Sequence, residues 1–184
     1  MTDPQMVNPG NVECSEYAIA GQLLALFVDE LATTRGGPPD IAVVHPGAQV
    51  PHYGCDIATV TIPRVGQAPG GNQLGRTKLA RERLVLCAMS MIRCYRSTDR
   101  NDMPPPAVLD SATRDVLDDL HAMRTAVREF STLTGLTVIV GDWRAVGPQG
   151  GLHGGELSVQ IAAGMEDAPP DAIVPMLDGD PRKQ

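Results

Sequence analysis

One stretch, residues 107 to 131, sets the terms on which the rest of the chain can fold. Leu109, Ala112, Val116, Leu120, Met123, Val127 and Phe130 follow one another at steps of three or four residues, the spacing that lines side chains along one face of a helix. The loop before it ends in three prolines (104–106), and Gly135 is placed to stop it, the pattern expected at helix boundaries. Asp110, Asp115, Asp118 and Asp119 lie toward the start and Arg124 and Arg128 toward the end, in the sense favoured by the helix macrodipole. A helix with one such apolar stripe has to cover an apolar surface, which the remaining chain supplies as a sheet.

The other elements read in the same way. From Cys14 to Thr33, apolar residues at Tyr17, Ala20, Leu24, Phe27 and Leu31, with Leu23 and Val28 beside them, predict a first helix. Ser15 is placed to cap it, and "RGGPP" (35–39) ends it. "IAVVHP" (41–46) and "CDIATVTIPRV" (55–65) predict strands. The block from Leu84 to Tyr95 lacks a polar face at helical spacing and predicts a buried strand. Residues 136–146 and 156–163 predict two more strands flanking a glycine-rich loop. The sum is an α+β domain over 14–164, with a mainly antiparallel or mixed sheet of four to five strands and two helices packed on one face. Residues 1–13 read as a disordered arm and 165–184 as an acidic, proline-rich tail.

Composition narrows the function. Of the 184 residues 42% are hydrophobic but only 3% aromatic, so the core is built from Leu, Val, Ile, Met and Ala. A net charge of −7 is the reverse of what phosphate neutralisation requires, so the molecule as a whole repels nucleic acid. Cys14, Cys55, Cys87 and Cys94 match no zinc spacing and read as free thiols. The amino terminus carries no signal-peptide pattern and no stretch is apolar enough to span a membrane. The expectation is a soluble protein made in a reducing cytoplasm.

Catalytic and ligand motifs fail one by one. The loop 65–78, "VGQAPGGNQLGRTK", follows a strand, but Gly71 is followed by Asn72 and Lys78 stands seven residues on, which is no phosphate loop. His45, His52 and Cys55, with Asp56 beside them, are not the paired ligands of a structural zinc site. "HGGE" (153–156) resembles an esterase oxyanion loop only superficially, because no G-x-S-x-G elbow accompanies it. His153 and Glu156 are spaced to share a proton, without a nucleophile. The basic cluster Arg76, Lys78, Arg81 and Arg83 contains Glu82 and no interleaved aromatics, which suits a solvated edge or an acidic protein surface better than nucleic acid. The residues point to a binding or structural domain with no catalytic residue, metal or cofactor.

In order, the first helix, "VVHPG" (43–47), "CDIATVTIPRV", the strand ending "IRCYR" (92–96), the long helix and "VGDWRAVGPQGGLHGGELSVQI" (140–161) resemble one family. It is that of the tail terminator proteins of siphophages that infect actinobacteria. The resemblance covers about residues 14 to 163, and its most specific part is the run "GDW…GPQGG…GGEL" (141–157). The family's loop often carries a cysteine where this chain has Leu152 and His153. The resemblance implies a virion protein, assembled in the host cytoplasm as a ring (a hexamer) on the head-proximal end of the tail tube. There it would stop tube polymerisation and dock the head connector, with DNA passing through its lumen without specific binding and no membrane involved. The implied partners are further copies of the chain, the tail tube protein and the head connector or head-completion protein. Candidate contact residues are Arg76, Lys78, Arg81 and Arg83, and the hairpin tip Gly150, Gly151, Leu152, His153 and Gly154, with Trp143 anchoring the hairpin base. A head-completion or connector protein is the alternative, and a small cytoplasmic enzyme using His153 and Glu156 the distant one.

Overall fold

The long apolar stripe becomes the second of two helices in a computed structural model that describes residues 16–48, 54–67, 82–94, 105–149 and 151–164. The elements run α1 (Glu16–Leu31), β1 (Ile41–Pro46), β2 (Ile57–Gln67), β3 (Glu82–Cys94), α2 (Pro106–Thr134), β4 (Thr137–Gln149) and β5 (Leu152–Gly164). The expected arm, the acidic tail, Ser15, His52, Arg76, Lys78, Arg81 and Gly150 lie outside the described residues.

Pro106 opens α2 at a position where its missing N–H costs nothing. Gly135 closes it in the left-handed conformation (φ 68), its N–H donating to the Ser131 carbonyl at 3.0 Å. Ala112, Val116, Met123, Val127 and Phe130 are buried as the spacing predicts, while Leu109 and Leu120 are half-buried. The dipole reading of the charges is corrected: the first turn holds no acid and the last turn no base. Asp119 sits inside the apolar stripe and is fully buried. In α1, Ile19, Ala20, Leu23, Leu24, Phe27 and Leu31 face inward, and Tyr17, expected in that stripe, is exposed.

The strands form one mixed sheet in the order β1-β2-β3-β5-β4. Only β1 and β2 run parallel, Ile41 opposite Ile57, and the other pairs are antiparallel. The fold is α+β, with both helices packed against the sheet. Alternation sets its apolar face: Val85, Cys87, Met89 and Met91 of β3 lie beside Leu157, Val159, Ile161 and Ala163 of β5, under Phe27, Met123 and Phe130. Each such large side chain contributes about 1.5–3 kcal/mol by leaving water. The β2–β3 ladder shifts register between Thr61 and Arg64, so Pro63, which has no N–H to give, falls in a bulge.

Two expectations are overturned. The glycine-rich segment is not a loop: β4 and β5 extend through it until Gln149 faces Leu152. Its glycines serve as strand devices that composition cannot distinguish from a loop. Gly147 (φ 119) makes a bulge opposite the Leu152–His153 backbone, and Gly151 (φ 85) makes the turn. A Cβ on Gly154 would strike the Met91 carbonyl of β3, and one on Gly155 would strike the Trp143 indole. Nor are all the cysteines free thiols. Cys55 and Cys94 are joined by a disulfide, and Cys87 alone among the described residues is a free, buried thiol. Strand register, which chain spacing does not reveal, brings the first two together.

Candidate functional site

At the end of β3 the core changes character. Arg93 continues the alternation of Met89 and Met91 and therefore points to the helix side, where it is only 4% exposed. A lone buried guanidinium would be very costly, and α2 answers it with Asp119, itself 1% exposed. The pair is bidentate: Nε donates to Oδ2 at 2.8 Å and Nη2 to Oδ1 at 2.7 Å. The remaining donors reach the turn after α1, Nη1 to the Gly36 carbonyl at 2.9 Å and Nη2 to the Gly37 carbonyl at 3.1 Å. Asp56, just before β2, adds a carboxylate at 3.4 Å. One side chain thus ties together α1, β2, β3 and α2.

Burial raises the Asp119 carboxyl above its ordinary range, against the opposing pull of the Arg93 hydrogen bonds and charge. Burial likewise works against the Arg93 charge, but Asp119 outweighs it and the guanidinium is raised above its ordinary value. His153, the cross-strand partner of Arg93, lies buried on the same side of the sheet. Burial pushes its imidazole below the ordinary value; Asp115 pulls it up, Arg93 pushes it down, and burial prevails.

Above this centre lies a cleft of about 530 Å³ bordered by Arg35, Asp56, Arg93, Ser111, Asp115 and His153. Arg35 donates to Asp115 at 2.8 Å and also to the Ser111 hydroxyl. A smaller, more apolar pocket of about 190 Å³ continues past His153 between α2 and the hairpin, walled by Val116, Leu117, Trp143 and Val146. The acids of the cleft are thus engaged by arginines. Among the described residues no group of three or more His, Cys, Asp or Glu side chains is arranged to hold a metal. What this arrangement does chemically is clamp elements together.

The residues singled out in the sequence are dispersed. His153 and Glu156 do not meet: three positions apart on a regular strand, they face opposite sides, and Glu156 pairs with Arg144 at 2.9 Å. Cys55 is spent in the disulfide, so it adds no thiolate to His45 and Asp56. Arg83 lies on β3, half-buried, with Nε 3.3 Å from Glu16 of α1. Leu152 and Gly154 are ladder positions opposite Cys94 and Ile92, and Gly154 is buried. Trp143 does anchor the hairpin base, packing against the core with its indole over Gly155.

Sequence reasoning missed Arg93 and Asp119, although a signal was there. An arginine on the inward phase of an apolar strand, and an aspartate three residues from Val116 and four from Met123, both break a pattern that is otherwise apolar.

The two ends of the sheet form the other surface of interest. Among the described residues β1 pairs only with β2, and β4 only with β5. Ile41 and Val43 on one edge strand and Ile139 and Val140 on the other are exposed. Open edges with apolar β-branched side chains are templates for pairing with another chain. No known protein-family model matches this sequence, and no curated protein matches it either.

Proposed function

We propose that this chain is a tail terminator, a subunit of a ring that caps the head-proximal end of a phage tail tube and presents the docking surface for the head connector. The observation that carries the reading is the pair of sheet edges, β1 and β4, at opposite ends of one sheet, neither of which pairs with a further strand among the described residues. Different surfaces at the two ends of a subunit are what a head-to-tail ring requires. The run that carries the resemblance, residues 141–157, supports it further, because it folds as one long hairpin and supplies one of those edges. The net charge of −7 suits a ring around a DNA channel, where like charge keeps the passing duplex from sticking.

The test is electron microscopy of tails assembled with this protein withheld. Tubes of uncontrolled length, without heads, are expected. Tails of normal length that simply lack heads would assign the chain to the connector instead. Normal, infectious particles would overturn both readings.

A further inference from the structure

The disulfide holds more than its two cysteines. Ile57 of β2 faces Ile92 of β3, and the same register carried outward sets Cys55 opposite Cys94, with Cα atoms 5.1 Å apart. This cross-strand spacing accepts a disulfide without backbone movement. Next to it, Asp56 has φ 53, a left-handed conformation uncommon for residues other than glycine. Its carboxylate reaches Arg93 at 3.4 Å. Its carbonyl accepts from the N–H of Asp40 at 2.8 Å and of Ile41 at 3.3 Å. Ile41 is the first residue of β1, an edge strand. One covalent bond therefore fixes the residue that pins the start of that strand.

The bond is also accessible. Cys55 is exposed and Cys94 half-buried, and access governs attack on a disulfide sulfur. Cys87 does not compete, since it is buried in the core and its thiol is pushed up to about 12 by that burial. The β2–β3 ladder and the core beneath it hold by their own pairing and packing, so opening the bond releases a corner and leaves the fold.

We infer that Cys55–Cys94 is a thiol–disulfide exchange site that latches the start of edge strand β1. In the forward step the thiolate of a small thiol attacks Cys55 Sγ, the bond to Cys94 breaks, and the electron pair leaves with Cys94 Sγ, which takes a proton from water. A second thiol then attacks the mixed disulfide on Cys55, releasing the small disulfide and leaving Cys55 as a thiol. Two electrons and two protons pass from the small thiols to the protein, and the corresponding small disulfide reverses the reaction.

The experiment treats the full chain with millimolar glutathione in native buffer, alkylates free thiols, and maps them by peptide mass alongside amide hydrogen exchange. Cys55 and Cys94 should become alkylated while Cys87 does not. The Asp40 and Ile41 amides should exchange about tenfold faster or more, with the centres of β3 and β5 unchanged, since local opening leaves the globally protected core intact. A C55S/C94S double variant should show the reduced pattern without any thiol. Resistance to glutathione without denaturant, identical exchange in both redox states, or an equal rise across every element would each overturn the inference.

Discussion

Arg93 and Asp119 are each a charge that could not be buried alone, and their worth follows from that. Removing one partner of a buried pair leaves the other uncompensated, at a cost of about 3–5 kcal/mol. Asp119→Ala should therefore lose about that much in chemical denaturation, while Asp110→Ala, whose exposed pair with Arg114 is solvent-screened, should change stability by under about 1 kcal/mol. Equal effects would deny the centre its role. His153 gives the site a pH signature. Its folded value is depressed by burial, so its contribution is complete above its ordinary value near 6.5 and is lost as pH falls through the folded value. Stability should fall below about pH 6.5 with a slope from this group of at most about 1.4 kcal/mol per pH unit. Asp119, with its raised carboxyl, acts in the opposite sense, so the quantity to measure is the difference between the wild type and His153→Gln across pH 7.5 to 5. Parallel curves would remove His153 from the account.

At the scale of elements, what could be read from the sequence was what repeats along it. Both helices follow from a period of 3.6, because one buried face imposes it on consecutive residues, and the strands follow from short apolar, β-branched runs too unbroken for an amphipathic helix. The hairpin is not legible in the sequence, because a glycine that lets a strand approach Met91 or Trp143 looks the same there as one that makes a loop flexible. The Arg93–Asp119 centre and the disulfide were not legible because each joins residues whose meeting depends on register, and the sequence carries only the break in pattern. Substitutions at this scale separate the roles. Gly154→Ala forces a methyl against the Met91 backbone and should cost about 1–3 kcal/mol. Gly21→Ala, in α1 with open space around it, should stabilise by about 0.5–1 kcal/mol. Thermal melts showing the same sign for both would refute the packing account of the hairpin glycines. Along α2, Met123→Asp should unfold the domain, since Met123 is fully buried. Leu120→Asp, on the half-buried rim, should be the milder of the two.

At the scale of the whole molecule, the question is what the sheet does with its ends. A monomer with two apolar edges risks open-ended pairing, and a rotation that closes turns that risk into a ring of fixed size. On β4, Ile139 and Val140 are exposed, while the strand is held by β5 and by Val138 and Trp143 packing inward. Replacing both exposed residues with lysine should therefore leave the monomer within about 0.5 kcal/mol of wild-type stability, because neither belongs to the buried core. The same change places two charges where a neighbouring strand would have to pair, and a lysine-bearing edge resists pairing. On the proposed reading, wild-type protein is a monomer in dilute solution and a six-fold ring on tail ends, and the double variant stays monomeric in both settings. Mass measurement in solution and electron microscopy of tails supplied with each protein make the comparison. A stable dimer of the wild type at all concentrations would contradict the head-to-tail ring. A variant that still caps tails as a six-fold ring would show that the β4 edge is not the joint, and the junction would then have to be sought on the helix face.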